Sequence, residues 1–215
     1  MSLLSRIRGN LAGGMMLAKA GATLPSILLY PIRRRLPGAR TQIDLGHGVS
    51  ITGPADEPLL FLFREIWVDR RYDLGDLPRP LDGAVVDIGA HVGLFSMWIA
   101  RHFPGSRIVG VEPSPRAAGY LRRNAASLPG ADITAVEAAV GGRHGRSFLH
   151  LGRSEMTNSM YAERGGSSDL EVEVITLDEL FARFGIDRCA LLKLDCEGAE
   201  YDILGGTSTE TLSRI

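Results

Sequence analysis

Short apolar runs alternate with amphipathic stretches along the second half of the chain. An apolar run at 85–89 precedes an amphipathic stretch at 94–102, and a second run at 108–112 precedes another at 114–128. Buried strands of parallel sheets read as continuous apolar runs, whereas surface helices repeat their apolar residues about every 3.6 positions. Further strands are predicted at 133–140, 147–151, 170–175 and 190–195. This order of elements predicts an α/β fold with a mainly parallel sheet and helices on both faces.

Turn and capping signals add detail outside these runs. Thr176 and Glu179 form a capping box, and Gly185 is placed to end the helix that the box opens. The weak alternation of 41–52 around two glycines predicts a β-hairpin, and a helical or mixed element is predicted at 58–68.

We divide the chain into a basic helical leader (1–40), an N-terminal extension (41–80) and the α/β domain (81–215). The leader is interrupted by prolines, which break helices. The chain stops where the next strand of the sheet is expected, so we expect the domain to be truncated at its C-terminus.

Composition and charge set limits on the partners. The chain has 215 residues, 45% of them hydrophobic and 23% charged, which suffices for one domain with a substantial core. A net charge of −1 gives no reason to expect a nucleic-acid partner. Residues 1–43 carry seven basic residues and no acidic one. This leader is compatible with peripheral contact with an anionic membrane surface, and the alternative is a solvated arm.

Cysteine usage and hydropathy indicate the compartment. Two cysteines, Cys189 and Cys196, do not make a disulfide framework, which favours a reducing environment. The apolar stretch at 11–30 is interrupted by Lys19, Pro25 and several glycines, so it is typical neither of a transmembrane helix nor of a signal peptide. We expect a cytoplasmic protein, and the leader is the segment through which membrane association is considered.

A glycine turn follows the first strand of the α/β domain. Asp87, Gly89 and Gly93 lie between that strand and its helix, and Glu112 ends the second strand. Glycines let the backbone approach a ligand, and an acid at the tip of the second strand suits the hydroxyls of a ribose. His91 stands where the dinucleotide fingerprint has its middle glycine, which argues against NAD or FAD. The pattern therefore predicts an adenosine cofactor without a pyrophosphate, and S-adenosylmethionine fits it best.

A second group of charged residues lies at the carboxyl end of the last predicted strand. Lys193 and Asp195 are two apart and share a face of that strand, while Glu197 lies just beyond its end. Ligands of open α/β sheets bind beyond the carboxyl ends of the strands, so we propose Asp195 as a base or substrate anchor and Glu197 as the second candidate. The alternative is structural, with Lys193 and Asp195 as a buried pair and Glu197 capping the next helix. Two carboxylates alone do not establish a metal site, so none is assigned.

With these motifs the chain resembles the FkbM family of S-adenosylmethionine-dependent methyltransferases, from about Glu65 to Gly206. The resemblance is carried by Val85–Ala100 with its Asp-Ile-Gly-Ala-x-x-Gly loop, by the Glu-Pro that ends Arg107–Pro113, and by the Leu-Lys-x-Asp-x-Glu-Gly-x-Glu segment Leu192–Glu200. It implies a Rossmann-like class I methyltransferase fold that transfers a methyl group from S-adenosylmethionine to a hydroxyl. A sugar of a glycan or a secondary metabolite is the acceptor that this family resemblance implies.

The resemblance also implies roles for the glycine turn. Gly89 and Gly93 would line the loop under the methionine moiety, and Ala90 and His91 would contribute backbone contacts. Asp87 would brace that loop or receive the methionine ammonium through water, and its alternative role is to cap the following helix. Two roles are considered for the side chain of His91: that of a catalyst, and that of an ordinary loop residue without catalytic function.

The remaining implied roles lie on the next two strands. Glu112 would bind the ribose hydroxyls, and its alternative is an ordinary exposed acid at a strand end. Ala138 or Ala139, past the third strand, would lie at the adenine edge.

Two other classes of function remain as alternatives. One is a non-catalytic cofactor-binding or interaction module that uses the basic leader as its working surface. The other is an NAD-linked oxidoreductase, which the residue at position 91 disfavours. An Asn/Asp-Pro-Pro-Tyr pattern, typical of amino-group methylases of nucleic acids, does not follow Asp195.

Overall fold

The computed structural model describes most of the chain beyond residue 39 and four earlier positions. The described residues are 18, 22–23, 25, 40–69, 71–72, 74–75, 77–79, 81–150, 169–196 and 198–215. The predicted leader therefore lies almost wholly outside the described residues, and so does Glu197. The described residues belong to two compact units, one within 1–75 and 127–129, the other within 76–126 and 130–215.

The first unit contains a β-hairpin followed by a short helical segment. Strands β1 (Arg40–Gly46) and β2 (Val49–Pro54) pair antiparallel. His47 in the turn has a φ of 52°, a left-handed conformation that histidine tolerates better than most residues. The predicted hairpin is thus confirmed. Helix α1 (Leu59–Phe63) continues directly into a five-residue π-helix, Arg64–Val68, where the sequence predicted a helical or mixed element.

The second unit carries the α/β domain. Its described strands are β3 (Ala84–Ile88), β4 (Arg107–Val111), β5 (Asp132–Val136), β6 (Ala139–Val140), β7 (Gly145–His150), β8 (Asp169–Ile175) and β9 (Cys189–Leu194). Its described helices are α2 (Leu94–His102), α3 (Pro115–Ser127), α4 (Leu177–Phe184), α5 (Glu200–Gly206) and α6 (Thr209–Leu212).

Four parallel strands form the main sheet in the order β5-β4-β3-β9. The chain runs outward from β3 through β4 to β5 and then returns to the other side of β3 as β9. The strand order therefore reverses between β3 and β9, and the carboxyl ends of these strands border the crevice where ligands of such sheets bind.

Helices cover both faces of this sheet. Alternate strand residues such as Val86, Val109 and Val111 form one buried cluster with residues of α4 and α5. On the opposite face, a Cβ built on Gly110 would contact Ser96 of α2 and Leu121 of α3. The predicted α/β fold with a mainly parallel, Rossmann-like sheet is confirmed.

The structure corrects one predicted strand. The run 133–140 is not one strand, because β5 ends at Val136 and β6 begins at Ala139 in a different sheet. In that second sheet, of order β6-β8-β7, β6 pairs parallel and β7 antiparallel with β8. Glu137 at the break lies partly in solvent, 2.6 Å from Arg122. This acid separates β5, of which only Val136 is buried, from the fully buried β6.

The capping signals of α4 are confirmed in detail. The backbone N–H of Glu179 donates to Oγ1 of Thr176 at 3.1 Å, and the N–H of Thr176 donates to Oε2 of Glu179 at 2.8 Å. Gly185 ends the helix at a φ of 55°. No helix within the described part of the chain has the length and apolar character needed to cross a membrane.

Candidate functional site

The glycine turn after β3 is held by the neighbouring strand. The backbone N–H groups of Gly89 and Ala90 both donate to the carbonyl oxygen of Val111, each at 3.0 Å. Gly89 has a φ of 74°, and a Cβ at this residue would overlap the carbonyl oxygen of Asp195. The N–H of Asp195 in turn donates to the carbonyl oxygen of Ile88 at 3.1 Å. The loops after β3 and β9 therefore meet backbone to backbone at the point where the strand order reverses.

The second glycine of the turn packs against α3. Gly93 has a φ of 86°, and a Cβ there would lie 2.5 Å from the side chain of Leu121. Asn124 is fully buried, and its amide donates to the carbonyl oxygen of Val92 at 2.7 Å. This side chain was not among the predicted site residues, because its contact joins positions 32 apart in the sequence. Helix α3 thus fixes the end of the turn from which α2 begins.

Glu112 is buried at the tip of β4, with 7% of its surface exposed. Its Oε2 accepts a hydrogen bond from the backbone N–H of His91 at 2.8 Å, and its Oε1 accepts one from the N–H of Ser114 at 3.0 Å. Hydrogen bonds to an ionised carboxylate are among the stronger ones in proteins. The side chain is therefore fixed beside the glycine turn, and the alternative of an exposed strand-end acid is wrong.

Asp87 is completely buried and bonded to its own protein on both carboxylate oxygens. Oδ2 accepts from the Ser96 hydroxyl at 2.6 Å, and Oδ1 accepts from Nζ of Lys193 at 3.0 Å. Nζ also donates to the carbonyl oxygen of Gly89 at 3.3 Å. Of the roles considered for Asp87, this geometry fits bracing of the turn. The brace links β3 both to α2, the next element of the chain, and to β9, which follows much later in the sequence.

Asp195 lies at the carboxyl end of β9 with its side chain 54% exposed. Its Oδ2 is 3.6 Å from Nζ of Lys193, a longer approach than that of Asp87 to the same nitrogen. The buried partner of Lys193 is therefore Asp87, and the structural pair that was considered for Lys193 and Asp195 is not buried. Asp195 is the exposed one of the two carboxylates that approach Nζ of Lys193.

The loop after β9 is braced by a residue that the sequence reasoning did not assign. The carboxylate of Glu200 accepts from the backbone N–H groups of Cys196 at 2.9 Å and Gly198 at 3.0 Å. Burial opposes ionisation of Glu200, but these backbone hydrogen bonds outweigh it and lower the pKa of the carboxyl. The signal was present in the sequence, since Glu200 ends the motif quoted above. Burial, reinforced by Glu200, raises the pKa of the Cys196 thiol to about 12, so the thiol is protonated near neutral pH.

His91 lies in the turn with an unusual backbone conformation and a buried ring nitrogen. Its φ is 53°, in the left-handed region, and its Nε2 is buried without a hydrogen-bond partner among the described residues, although part of the residue reaches the surface. Burial, with the charge of Lys193 second, lowers the pKa of the imidazole from 6.5 to about 4. The ring is therefore neutral near neutral pH.

Ala138 follows the end of β5 and is buried, with 2% of its surface exposed. The carbonyl oxygen of Val136, two residues earlier, accepts from the backbone N–H of Glu112 at 2.9 Å. Ala139, the alternative at the adenine edge, is instead part of β6 in the second sheet. Among the described residues, no cluster of three or more His, Cys, Asp or Glu side chains is placed to hold a metal ion.

The sheet order, the glycine turn and the fixed carboxylate at the tip of the second strand define a Rossmann-like α/β domain whose strand order reverses between β3 and β9. A model of the methyltransferase FkbM domain matches residues 87–215. The chain therefore belongs to the FkbM methyltransferase family.

Individual relatives agree with this membership. Methyltransferase sdnD of Sordaria araneosa is 31% identical in an alignment 183 positions long, which covers 70% of this chain and 69% of the relative. The 31-O-demethyl-FK506 methyltransferase FkbM of Streptomyces tacrolimicus is 29% identical in an alignment 203 positions long, which covers 80% of this chain and 78% of the relative. The 2-O-methyltransferase NoeI of Sinorhizobium fredii (strain NBRC 101917 / NGR234) is 26% identical in an alignment 156 positions long, which covers 65% of this chain and 63% of the relative.

Proposed function

We propose that this protein transfers a methyl group from S-adenosylmethionine to a hydroxyl oxygen of a sugar or secondary metabolite. The observation that carries the proposal is the carboxylate of Glu112, buried at the tip of β4 and fixed by two backbone N–H groups, one of them from the glycine turn. Each carboxylate oxygen can accept more than one hydrogen bond, so a carboxylate held in this way also suits a ribose diol.

The order of the strands supports a matching order of ligand groups. Neighbouring strands lie about 4.8 Å apart, and their carboxyl ends carry Ala138, Glu112, the turn Gly89–Gly93 and Asp195 in the sheet order β5-β4-β3-β9. We assign these positions to the adenine, the ribose, the methionine part and the methyl acceptor. The left-handed glycines of the turn let it pack directly against the backbone of Asp195 and the side chain of Leu121, which fixes the turn at the carboxyl end of β3.

Methyl transfer requires little from the chain other than positioning the acceptor hydroxyl next to the methyl group of the cofactor. When bound, S-adenosylmethionine supplies a methyl carbon activated by its sulfonium. Holding an acceptor hydroxyl at attack distance contributes up to about 7–11 kcal/mol in favourable cases. Asp195 is exposed at the end of the crevice assigned to the acceptor, and its carboxylate is our candidate to anchor the hydroxyl or take its proton.

The preference for oxygen rests on the relatives. The names of two of them, the 31-O-demethyl-FK506 methyltransferase and the 2-O-methyltransferase, describe methylation of oxygen. We extend this acceptor type to the present chain as part of the proposal.

Two measurements test the proposal together. Calorimetry should detect binding of S-adenosylmethionine and S-adenosylhomocysteine, and transfer of labelled methyl from S-adenosylmethionine should be detected with a library of hydroxylated acceptors. If neither S-adenosylmethionine nor S-adenosylhomocysteine binds, the cofactor assignment is contradicted. Binding without transfer to any hydroxylated acceptor would instead favour the non-catalytic cofactor-binding module.

A further inference from the structure

The peptide group between Asp195 and Cys196 is held on both of its polar sides. Its carbonyl oxygen, which belongs to Asp195, lies against the α-carbon of Gly89, where a Cβ would overlap it. Its N–H, which belongs to Cys196, donates to Oε1 of Glu200 at 2.9 Å. The preceding peptide group is fixed as well, since the N–H of Asp195 donates to the carbonyl oxygen of Ile88 at 3.1 Å. The backbone of Asp195 is therefore held between β3 and the side chain of Glu200.

Both carboxylate oxygens of Glu200 bond to this loop. While Oε1 bonds to Cys196, Oε2 accepts from the N–H of Gly198 at 3.0 Å. Gly198 has a φ of 104°, a conformation that glycine adopts without the clashes of a Cβ. Burial raises the pKa of Glu200, but the hydrogen bonds from the backbone outweigh burial and the net shift is downward. The carboxylate is therefore ionised near neutral pH, and hydrogen bonds to an ionised acceptor are among the stronger ones.

The direction of the Asp195 carboxylate depends on this backbone. An aspartate side chain has only two rotatable bonds, so its carboxylate moves with the backbone that carries it. The side chain of Asp195 is 54% exposed, and its Oδ2 lies 3.6 Å from Nζ of Lys193, which is longer than a hydrogen bond. Lys193 thus attracts the carboxylate without fixing its direction. Where a rate depends on positioning, a displacement of about 1 Å can cost about a hundredfold.

We propose that Glu200 is a positioning residue for methyl transfer, which holds the peptide group after Asp195 so that the Asp195 carboxylate faces the acceptor hydroxyl. The inference rests on the proposed function and deepens it, because it extends the acceptor side of the site from one residue to a pair. Glu200 acts through Asp195, and cofactor binding, which is assigned to β3, β4 and β5, does not depend on it.

The variant Glu200→Gln tests this role with a small change. The amide keeps one acceptor oxygen and turns an NH2 group toward the other backbone donor. With an acceptor that the wild type methylates, kcat should fall about ten- to a hundredfold, while the calorimetric affinity for S-adenosylhomocysteine is unchanged. Glu210→Gln is the matched control, because Glu210 is also an acid in the first turn of a helix but pairs with Arg214 and is 78% exposed. This control should leave both quantities unchanged.

A double-mutant cycle separates positioning from a general structural effect. In the variant Asp195→Asn the carboxylate to be positioned is gone, so adding Glu200→Gln should lower kcat little further. A role of Glu200 in the integrity of the whole domain would instead lower kcat by the same factor in both backgrounds. Glu200→Asp keeps the charge on a shorter side chain and is the second variant if Glu200→Gln does not fold.

The thiol of Cys196 reports on the loop without any acceptor. Burial, reinforced by Glu200, raises the pKa of this thiol to about 12, and the other cysteine of the chain, Cys189, is buried. In Glu200→Gln the negative charge that opposes the thiolate is removed, so reaction with a disulfide reagent at pH 8 should be faster by about tenfold or more. Cys196→Ala shows which thiol gives the signal, and Glu210→Gln should react at the wild-type rate.

The outcomes distinguish the two levels of the argument. An unchanged kcat in Glu200→Gln, or the same loss of kcat with and without Asp195→Asn, would overturn the inference. An unchanged thiol reaction would overturn it as well, because Glu200 would then not hold the loop. If the wild-type protein binds neither adenosyl compound or methylates no acceptor, the proposed function itself fails, and the inference fails with it.

Discussion

Gly89 and Asp195 meet backbone to backbone, although 106 positions separate them in the chain. The α-carbon of Gly89 faces the carbonyl oxygen of Asp195 with no room for a Cβ, and the N–H of Asp195 donates to the carbonyl oxygen of Ile88 at 3.1 Å. This contact sets the distance between the loop assigned to the cofactor and the carboxylate assigned to the acceptor. Any substitution that separates the two loops should therefore affect both functions of the crevice.

The variant Gly89→Ala tests this contact. An added methyl group would overlap the backbone of Asp195, and the φ of 74° is itself unfavourable for alanine. We expect the free energy of unfolding to fall by about 2 kcal/mol or more and cofactor binding to be lost. Gly119→Ala is the matched control, because a Cβ there meets nothing within 4 Å and the residue lies inside α3. That variant should be stabilised by about 0.5–1 kcal/mol. Equal effects of the two substitutions in chemical denaturation would contradict the role of the contact.

The ribose assignment predicts the effect of Glu112→Gln. A neutral amide keeps one acceptor oxygen but directs an NH2 group at one of the two backbone N–H donors that hold the side chain. Affinity for S-adenosylmethionine should fall by about 1.5–3 kcal/mol, which calorimetry measures as a loss of about ten- to a hundredfold. Glu137→Gln changes an acid that is 38% exposed and paired with Arg122, so its affinity should match the wild type. The ribose role is excluded if Glu112→Gln retains full affinity in a folded protein.

The variant Asp195→Asn distinguishes a role in cofactor binding from a role in methyl transfer. If the carboxylate takes the proton of the acceptor hydroxyl, turnover should fall by about 10²–10⁴-fold while affinity for S-adenosylmethionine changes little. Asp82→Asn removes an acid that is 77% exposed and 3.5 Å from Arg188, and it should leave both quantities unchanged. Steady-state kinetics beside calorimetry give the two numbers. Wild-type turnover in Asp195→Asn would remove this residue from the chemistry.

The buried pair of Asp87 and Lys193 predicts strongly non-additive effects on stability. Lys193→Met leaves the carboxylate of Asp87 buried without its cation, which typically costs about 3–5 kcal/mol. Adding Asp87→Asn should recover a large part of this loss, because the uncompensated charge disappears while Ser96 keeps an oxygen acceptor. A double-mutant cycle from urea unfolding measures the coupling. Additive losses would show that the two residues do not stabilise one another.

The sequence predicted those features of the fold that depend on near neighbours. The strands β3, β4 and β9 are short, mainly apolar runs, and the cap of α4 joins Thr176 to a residue three positions later. The two glycines of the turn were identified because their spacing lies within one loop. Each of these patterns has a physical cause that acts over fewer than about ten residues.

The contacts that were missed are non-local. Lys193 and Asp87 are 106 positions apart, so no local pattern pairs them, and the nearer acid Asp195 was considered as the partner instead. The break in the run 133–140 depends on which sheet each half can join, which is a property of the tertiary structure. The roles of Glu112 and Asp195 were proposed from the sequence and the family resemblance, whereas the contacts that hold these side chains became visible only in the coordinates.

The depressed pKa of His91 predicts how stability depends on pH. The imidazole has a pKa of about 4 in the folded protein and 6.5 ordinarily, mainly because of burial and secondly because of Lys193. Between these values the unfolded chain binds a proton that the folded protein does not. The contribution of His91 is therefore fully present above about pH 6.5 and is lost as the pH falls, with about 3 kcal/mol lost by pH 4.

The variant His91→Asn isolates this contribution. Carboxyls with lowered pKa values, such as that of Glu179, also destabilise the protein in acid, but they do so equally in both proteins. The difference in unfolding free energy between wild type and His91→Asn should therefore be constant from pH 7 to 8 and should shrink steadily, or change sign, from pH 6.5 to 4. Urea titrations at half-unit intervals of pH measure it. Parallel stability curves over that range would mean that the ring titrates normally in the folded protein.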